Sequence, residues 1–374
     1  MKATSMAMTK PMKPSPMKSG KERMPTGPPA VAAALEAPAM APATVAQATA
    51  SKATVSNVLN GTGRVGEETR QRVLQIAERE GYVANFAAKS LRAAETRTVS
   101  IVTSDISNVF FSSIVMRLER ELYNADYASF ACDTENDPQR EASYIKSMLH
   151  KQVDGLVFVN GKRRLDLSAL PTKVPTVVLD RITTGTHERF VSVDNDVRQM
   201  THDMTKTLLD HGCTRIAFVS VSASTAPLTE NARYVGYIEA LAEAGARLDQ
   251  RLVLRGQHVK PSNLEAEELV GSLLERGEPV DGIVAIGDRV AIGAMTALEA
   301  HGLNVGSDVL VIGCDDTPIA RLFTPTLSSV NRNVDKLASR AAEALIALMN
   351  GAALEQTQII VDHQVVERAS TLGQ

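Results

Sequence analysis

The spacing of apolar residues divides the chain into a short helical region and a longer region of alternating strands and helices. In the first region Val55, Val58 and Leu59 fall at i, i+3 and i+4, the spacing of one buried helix face. Ser51 precedes this face and predicts an N-cap, because a serine hydroxyl accepts from first-turn N–H groups. Residues 67–80 predict a second helix with an acidic start. With an Ala-rich helix near residues 40–50, these short helices are typical of a helix-turn-helix unit.

From residue 98 the pattern alternates between strands and helices. Apolar runs predict strands at residues 99–103, 128–132, 155–159, 175–179, 215–219, 282–286 and 309–313. Helical periodicity predicts helices between them at residues 112–124, 138–151, 198–211, 231–244, 264–276 and 289–301. Such alternation indicates an α/β fold of right-handed βαβ units with parallel sheets. The number of strands favours two similar lobes, with ligands bound beyond the carboxyl ends of the strands.

Charge is unevenly distributed along the chain, although the whole protein carries only −3. Residues 1–97 hold 14 basic and 7 acidic side chains, whereas the other residues hold 26 basic and 36 acidic ones. A basic N-terminal region on an acidic body is typical of an arm or domain that binds nucleic acid. Residues 1–39 are rich in Met, Lys, Pro and Ala without periodicity, and we expect them to be disordered.

The cysteines and the apolar segments limit the remaining classes of protein. Cys132, Cys213 and Cys314 lie in or beside apolar runs without metal-ligand spacing, which predicts buried, reduced thiols. No apolar run approaches bilayer length, and prolines interrupt the Ala-rich N-terminal segment that loosely imitates a secretory signal. No hydrolase, nucleotide-binding or zinc-protease motif is present, so we expect no enzyme, no cofactor and no metal site.

A series of motifs resembles one family of proteins. In order they are SKATVSNVLNGTGRV, ETRQRVLQIAEREGY, NFAAKSLR, NVFF, VVLDR, VSVDN, GDRVAIGA, GCDDTP, LFTPTLSSV and VVERAST. From about residue 42 to residue 374 the chain therefore resembles the lactose-repressor (LacI/GalR) family. The resemblance implies a cytoplasmic repressor of carbohydrate metabolism that binds double-stranded operator DNA as a homodimer. It also implies a core like the periplasmic binding proteins that binds a small sugar or sugar-phosphate effector.

The resemblance also sets the expected domains. These are a disordered extension at 1–39, a helix-turn-helix domain at 40–82, a hinge helix at 83–97 and a core at 98–374. Within the core we expect one lobe from residues 98–196 and 327–345, and a second from residues 197–326 and 346–374. The first helix of the head is the weakest match, because PATVAQATAS lacks the family's aspartate and Gly-Val turn.

By position, the resemblance places DNA contacts in the head and in the hinge. Lys52, Ala53 and Asn57 match the family's base-reading positions, while Ser51, Thr54 and Asn60 match positions that support the helix or touch phosphate. An arginine is commonest where Asn57 stands, which changes the expected operator sequence because asparagine prefers adenine. Leu91 matches the family's minor-groove wedge. The residues that flank it in the hinge are Asn85, Lys89 and Arg92.

A second set of residues is expected to form the effector site in the cleft. Phe110 and Phe111 follow the first core strand and would stack on a sugar ring, since aromatic rings pack on its apolar faces. Charged and polar groups at the strand ends would bind hydroxyls. By resemblance, the set is Asn108, Asp180, Arg181, Asp194, Thr229, Arg233 and Asp288, with His258 and Asp315 as additions.

Two other functions remain open from the sequence. An exported sugar-binding protein of a transport system would share the core but would have no use for a helix-turn-helix. A regulator whose altered first helix impairs DNA binding would act only as a sugar sensor. Both alternatives predict sugar binding, and they differ from the first hypothesis only in DNA binding.

Overall fold

A computed structural model gives the architecture of the protein and describes residues 51–59, 63–80, 95–160, 164–221, 227–257, 262–352 and 356–373. The predicted extension at 1–39, the helix near 40–50 and most of the hinge at 83–97 lie outside these residues. The chain divides into two compact units, Met1–Phe86 and Ala87–Gln374. None of the helices in the described residues is long and apolar enough to cross a membrane.

The first unit contains helices α1 (Lys52–Leu59) and α2 (Glu67–Arg79). Their buried faces meet in a small core of Val55, Val58 and Val73, against which Ile76 also packs. This arrangement agrees with the two helices predicted from apolar spacing. Because so few large side chains form this core, every buried valine in it contributes a substantial share of its stability.

The second unit contains the strands and helices that the alternating pattern predicts. Its strands are β1 (Thr98–Thr103), β2 (Ala128–Asp133), β3 (Gly155–Val159), β4 (Leu165–Asp166), β5 (Thr176–Leu179), β6 (Thr183–Thr184), β7 (Phe190–Asp194), β8 (Ile216–Val221), β9 (Val253–Gly256), β10 (Gly282–Ala285), β11 (Leu310–Cys314), β12 (Ser328–Asn331), β13 (Gln358–Ile360) and β14 (Gln364–Val366). Its helices are α3 (Val109–Asn124), α4 (Pro138–His150), α5 (Val197–Asp210), α6 (Ala232–Glu243), α7 (Ser262–Glu275), α8 (Asp288–Ala300), α9 (Pro318–Leu322), α10 (Val334–Met349) and α11 (Ala369–Leu372). Short 3-10 turns lie at Leu167–Ala169, Leu228–Glu230 and Gln250–Leu252.

The strands form two sheets, and each sheet is the centre of one lobe. The first sheet has the order β13-β7-β5-β3-β1-β2, and its strands are parallel. The second has the order β14-β12-β11-β10-β8-β9 and is parallel except that β14 runs antiparallel to β12. Two lobes built on parallel sheets are therefore confirmed.

Helices cover the sheets and complete the cores. In the first lobe α3 and α10 bury Phe110, Leu118, Leu337 and Leu345 together with strand residues such as Val157. In the second lobe α7 and α8 contribute to one apolar cluster, and α5 and α6 contribute to another. Parallel sheets need cover on both faces.

The chain passes between the two sheets three times. The crossovers follow Asp194 at the end of β7, follow Asn331 at the end of β12, and join Ile360 of β13 to Gln364 of β14. This corrects the expected lobe boundaries at residues 327 and 345. The strand β12 pairs with β11 and belongs to the second lobe, whereas α10 packs in the core of the first lobe and β13 pairs with β7.

Candidate functional site

The start of α1 is held by Ser51. Its Oγ accepts from the Thr54 N–H at 3.1 Å, and the two hydroxyl oxygens lie 2.9 Å apart. The predicted N-cap is therefore confirmed. Val55 and Val58 point into the small core with Val73, so the opposite face of α1 is left to small and polar residues.

The outer face of α1 carries the predicted base-reading residues. Ala53 is exposed, and Asn57 is half-buried, with its Nδ2 only 2.7 Å from where a Cβ on Gly63 would lie. Lys52 opens the helix, but its side chain is outside the described atoms. The remaining predicted DNA contacts lie outside the described residues: Asn60, Asn85, Lys89, Leu91 and Arg92.

The segment after β1 leads into α3 and places two rings inside the first lobe. Asn108 caps α3 by accepting from the Phe110 N–H at 3.0 Å. Phe110 and Phe111 are 1% and 9% exposed, and the Arg332 guanidinium lies 4.2 Å from the centroid of the Phe110 ring. In this structure the two rings pack in the core of the first lobe, and the Arg332 guanidinium already lies over the ring of Phe110. They therefore do not form the open stacking platform that we expected.

Arg332 lies where the three crossovers meet, and its side chain is 2% exposed. Its Nε donates to Asn195 Oδ1 at 2.9 Å, while Asn195 Nδ2 donates to the carbonyls of Arg332 at 3.1 Å and Val361 at 2.8 Å. Nη2 of Arg332 donates to Asp180 Oδ1 at 2.8 Å, and Nη1 donates to Asp315 Oδ1 at 3.4 Å. One guanidinium thus contacts both lobes and a crossover.

Asp180 and Asp194 end two neighbouring strands of the first sheet. The Asp180 N–H donates to Asp194 Oδ1 at 2.7 Å. Burial opposes ionisation of Asp180, but the charges of Arg332 and Arg233 outweigh it and hold its pKa below the ordinary value. Burial, together with the neighbouring charge of Asp180, raises the pKa of Asp194 to about 6. Asp194 therefore takes up a proton at a higher pH than Asp180 does.

Asp315 and Arg233 bring the second lobe to the same place. Burial raises the pKa of Asp315 to about 7 even though Arg332 lies beside it. Arg233, near the start of α6, has its Nη2 4.0 Å from Asp180 Oδ1 across the cleft and its Nη1 3.8 Å from Cys314 Sγ. The structure thus unites these residues with Asp180 at the carboxyl ends of strands from both sheets.

Asp288 lies behind this cluster and is only 1% exposed. Its Oδ2 accepts from the N–H and hydroxyl of Thr317, both at 2.7 Å, and its Oδ1 accepts from the Ser329 hydroxyl at 2.5 Å. Burial raises its pKa to about 6. Protein donors contact both oxygens, and the expected contact of Asp288 with a ligand stays a prediction. In this structure Asp288 ties α8 to β12 and to the start of α9.

The remaining predicted residues lie at different places. Arg181 binds Glu141 of α4 through two hydrogen bonds of 2.7 and 3.0 Å, which neutralises both groups within the first lobe. Thr229 lies exposed on the 3-10 turn Leu228–Glu230, and His258 is outside the described residues. Arg181 therefore supports the first lobe and is not aligned with the cleft cluster.

Two further ion pairs join the lobes beside the cluster. Arg289 Nη1 of α8 lies 3.9 Å from Asp105 Oδ2, which follows β1. Arg164 Nη2 lies 3.4 Å from Glu230 Oε2. Exposed pairs of this kind contribute little stability individually, so they set the position of the lobes only weakly.

The chemistry of this cleft is that of binding. Buried carboxylates and guanidinium groups bind vicinal hydroxyls through charge-assisted hydrogen bonds. Within the described ranges, no group of three or more His, Cys, Asp or Glu residues could hold a metal ion. The three cysteines are free and buried, as expected, and burial raises the pKa of Cys213 and Cys314 to about 12.

Comparison with known proteins agrees with this architecture. A periplasmic binding protein-like domain matches residues 205–371, and the family of bacterial regulatory proteins of the lacI type matches residues 45–85. The HTH-type transcriptional regulator RegA of Clostridium saccharobutylicum is 30% identical over 322 residues, which are 86% of this chain and 96% of RegA.

Two solved structures share the fold. The transcription regulator CcpA of Lactococcus lactis is 30% identical with a TM-score of 0.64, over 73% of this chain and 98% of that one. The regulator CelR in complex with cellobiose is 26% identical with a TM-score of 0.65, over 87% and 98%. The chain belongs to the LacI family of bacterial regulatory proteins.

Membership in the LacI family weighs against one of the functions that the sequence left open. LacI-family proteins are DNA-binding transcription regulators, and the family match at residues 45–85 includes α1 and α2. An exported sugar-binding protein is therefore not favoured, since such a protein has no use for a DNA-binding head. The match also begins within the segment where the first helix departs from the family pattern.

Sequence reasoning missed Arg332 and Asn195. Both stand in polar segments directly after strands, which is also where helix-capping residues occur. Their partners are distant in the chain, so no local spacing indicates them. The local sequence gives no signal for Arg332, because the strand that it follows, SSVN, is itself short and polar.

Proposed function

We propose that this LacI-family protein is a cytoplasmic repressor of carbohydrate metabolism and that a small sugar in the interlobe cleft controls its affinity for operator DNA. The observation that carries the proposal is the buried cluster of charges at strand ends of both lobes. Its members are Asp180, Asp194, Asp315, Arg233 and Arg332. A ligand that contacts both halves of this cluster changes how the lobes are held together, and CelR, which was solved with cellobiose, supports a sugar as that ligand.

The charges favour a neutral sugar over a sugar phosphate. Three carboxyl groups face two guanidinium groups, and all five are largely buried. A phosphate would add up to two negative charges where water screens them poorly. A neutral sugar avoids this repulsion, and the raised pKa values of Asp194 and Asp315 let their protonated forms donate to a sugar oxygen.

The proposed roles within the cleft follow from these positions. Arg233 donates to ligand oxygens, and Asp180, Asp194 and Asp315 accept from hydroxyls. Asn108, Phe110 and Phe111 shape the wall of the first lobe, and Thr229 lies at the rim. Asp288 and Arg181 act indirectly, by positioning the residues to which they are hydrogen-bonded.

DNA binding is proposed for the outer face of α1 and the hinge. Lys52, Ala53 and Asn57 would face base edges, with Ser51, Thr54 and Asn60 near phosphates. In the hinge, Leu91 would enter the minor groove, and the neighbouring positions Asn85, Lys89 and Arg92 would contact the backbone. A small polar face opposite a valine seam suits the width of the major groove.

We infer a homodimer, because two-fold symmetry matches a palindromic operator and hinge helices act in pairs. The core offers a surface for it. Val109, Met116 and Tyr123 recur every seven residues on α3 and are exposed, beside the exposed Phe130 of the edge strand β2. An apolar stripe of this kind on a helix marks a surface for protein contact.

One experiment tests the function as a whole. Thermal unfolding would be measured with a panel of pentoses, hexoses, disaccharides and their phosphates, followed by gel shifts on the promoter region of this gene at several salt concentrations. We expect a neutral sugar to raise the melting temperature and to change operator affinity. Sugar binding without any specific shift of DNA would instead show a sensor that does not bind its operator, and a response only to phosphates would contradict the preference for neutral sugars.

A further inference from the structure

We propose that Arg332 is the positioning residue that transmits occupancy of the cleft to the three crossovers between the lobes. A ligand hydroxyl that enters between Arg332 and Asp315 would bridge the two side chains and so change how firmly the lobes are joined. The inference rests on the proposed effector response and names a residue that no spacing in the sequence indicates.

Arg332 connects both lobes and the crossovers between them. Among the described residues, Arg332 hydrogen-bonds Asp180 of the first lobe at 2.8 Å and Asp315 of the second lobe at 3.4 Å. Through Asn195 it is also joined to the first crossover, and Asn195 in turn bonds the carbonyl of Val361 in the third. A shift of this one guanidinium therefore reaches both lobes and all three connections.

The two carboxylate contacts of Arg332 are unequal in length. The bond to Asp180 has the length of a strong charge-assisted bond, whereas the 3.4 Å contact to Asp315 is at the long limit of a hydrogen bond. Asp315 also adopts a φ of 106°, which L-residues rarely adopt. The contact to the second lobe is therefore the weaker one, and it is where a ligand can act at lowest cost.

Arg332 cannot relax into solvent. Its side chain is 2% exposed, and Phe110 covers its guanidinium at 4.2 Å. A buried cation must keep its partners, because leaving it unpaired is costly. Any ligand that takes a contact from Arg332 has to replace it, so occupancy and lobe geometry are linked.

Arg368 provides a matched control. It is also a largely buried arginine beside the same turn, with Nη2 donating to Asp316 Oδ1 at 2.5 Å and Nη1 donating to the carbonyl of Leu327 at 2.6 Å. Both partners lie in the second lobe. Arg368→Met therefore removes a buried ion pair without touching a contact between lobes.

The experiment compares amide hydrogen exchange in the full-length protein, Arg332→Met and Arg368→Met, first without ligand. We expect peptides across residues 194–197, 331–334 and 360–364 to exchange at least about tenfold faster in Arg332→Met, while strands β3 and β10 stay protected. Arg368→Met should leave the crossovers unchanged. Equal exchange in the wild type and Arg332→Met, or equal loosening of strands and crossovers, would overturn the proposal. If Arg332→Met does not fold, Arg332→Lys decides by the same readout, since its single ammonium cannot span both carboxylates.

A second measurement adds cellobiose as the probe. In the wild type, cellobiose should slow exchange at the crossovers, and in Arg332→Met this protection should fall at least fivefold even at cellobiose concentrations that saturate binding. Full protection in the variant would overturn the coupling role. Failure of cellobiose to bind the wild type would count against a cellobiose-like effector only, because the comparison without ligand decides whether Arg332 holds the crossovers.

Discussion

Asp315 and Asp316 are successive residues whose carboxylates bind different arginines. Asp315 faces Arg332 between the lobes at 3.4 Å, whereas Asp316 accepts from Arg368 within the second lobe at 2.5 Å. Positive φ values of 106° and 48° at the two positions turn the side chains apart. In the turn after β11, Asp315 therefore contacts Arg332 in the cleft, whereas Asp316 forms an ion pair within the second lobe.

The first prediction follows from Asp315. Burial raises its pKa to about 7, far above the ordinary value of about 3.9, so the folded protein holds this proton more tightly than the unfolded chain. Its contribution to stability is therefore present below about pH 4 and is lost as pH rises towards 7. When the pH is raised from 5 to 8, the free energy of unfolding of Asp315→Asn should therefore increase relative to that of the wild type, by on the order of 1–3 kcal/mol. Chemical denaturation at both pH values measures it.

The control for this experiment is Asp335→Asn, which changes an exposed carboxylate at the start of α10. The change in its stability relative to the wild type between the two pH values reports any effect of pH that is not specific to Asp315. A constant difference between Asp315→Asn and the wild type across the range would show that Asp315 does not titrate there.

The second prediction concerns the head. Gly63 has a φ of +74°, and a Cβ there would lie 2.7 Å from Asn57 Nδ2. Gly63→Ala should cost at least about 1–2 kcal/mol of head stability, the cost of a left-handed conformation for an L-residue, and should weaken operator binding. Amide exchange of peptides from residues 51–80 and gel shifts measure the two effects. Gly66→Ala is the matched control: φ is −60° and a Cβ there meets nothing within 4 Å, so it should cost less than about 1 kcal/mol.

The third prediction tests the cleft. Arg233→Ala removes a cation that faces Asp180 across the lobes, so the response to sugar should be lost while operator binding without sugar remains. Titration of operator complexes with the sugar found in the thermal screen measures it. Arg251→Ala, which changes an exposed arginine paired with Asp249, should respond like the wild type. A normal response of Arg233→Ala would place the effector site elsewhere.

The fourth prediction concerns the α3 surface. Met116→Asp puts a charge into the exposed apolar stripe and should shift the protein from dimer to monomer at micromolar concentration, because an unpaired charge in an interface is costly. Sedimentation velocity measures this. Leu322→Asp, at an exposed position on α9 of the other lobe, should leave the dimer intact. A wild-type monomer would contradict the dimer, and a dimeric Met116→Asp would exclude this surface.

The fifth prediction separates base reading from insertion at the hinge. Leu91→Ala should weaken specific binding by on the order of a few kcal/mol, the scale of base unstacking, with the salt slope unchanged because no cation is lost. Lys52→Ala should instead reduce the salt slope by about one if it contacts a phosphate, or relax sequence preference at one position if it contacts a base. Isotherms at three salt concentrations, on operator and random duplex, distinguish these results. Equal loss on both duplexes for Leu91→Ala would contradict the hinge role.

Sequence patterns predicted seven strands of the two cores, because most of these are runs of apolar residues buried on both faces. β3 matches its predicted range, and the other predicted strands differ by one or two residues at an end. The strands β4, β6, β7, β9, β12, β13 and β14 were not predicted. The strand β12, for example, was missed because its sequence, SSVN, is short and polar and is stabilised by pairing with β11. A strand that depends on distant partners leaves no local signal.

The candidate site was predicted in part, for a related reason. The residues at strand ends were found because topology brings carboxyl ends to one edge. Which of them face a ligand depends on side-chain partners: Asp288 is held by Thr317 and Ser329, and Arg181 is held by Glu141. Those pairings join residues far apart in the chain, so only the folded structure distinguishes a supporting residue from a binding one.

The position of α10 in the first lobe has a consequence for biosynthesis. This helix fills the core beneath the first sheet, yet it leaves the ribosome only after nearly all of the second lobe. At roughly 5–20 residues per second, the apolar surface that α10 covers waits on the order of ten seconds with only α3 packed on that face. The nascent first lobe therefore exposes apolar surface while the second lobe is synthesised, and a chain that ends before α10 lacks part of the core of the first lobe.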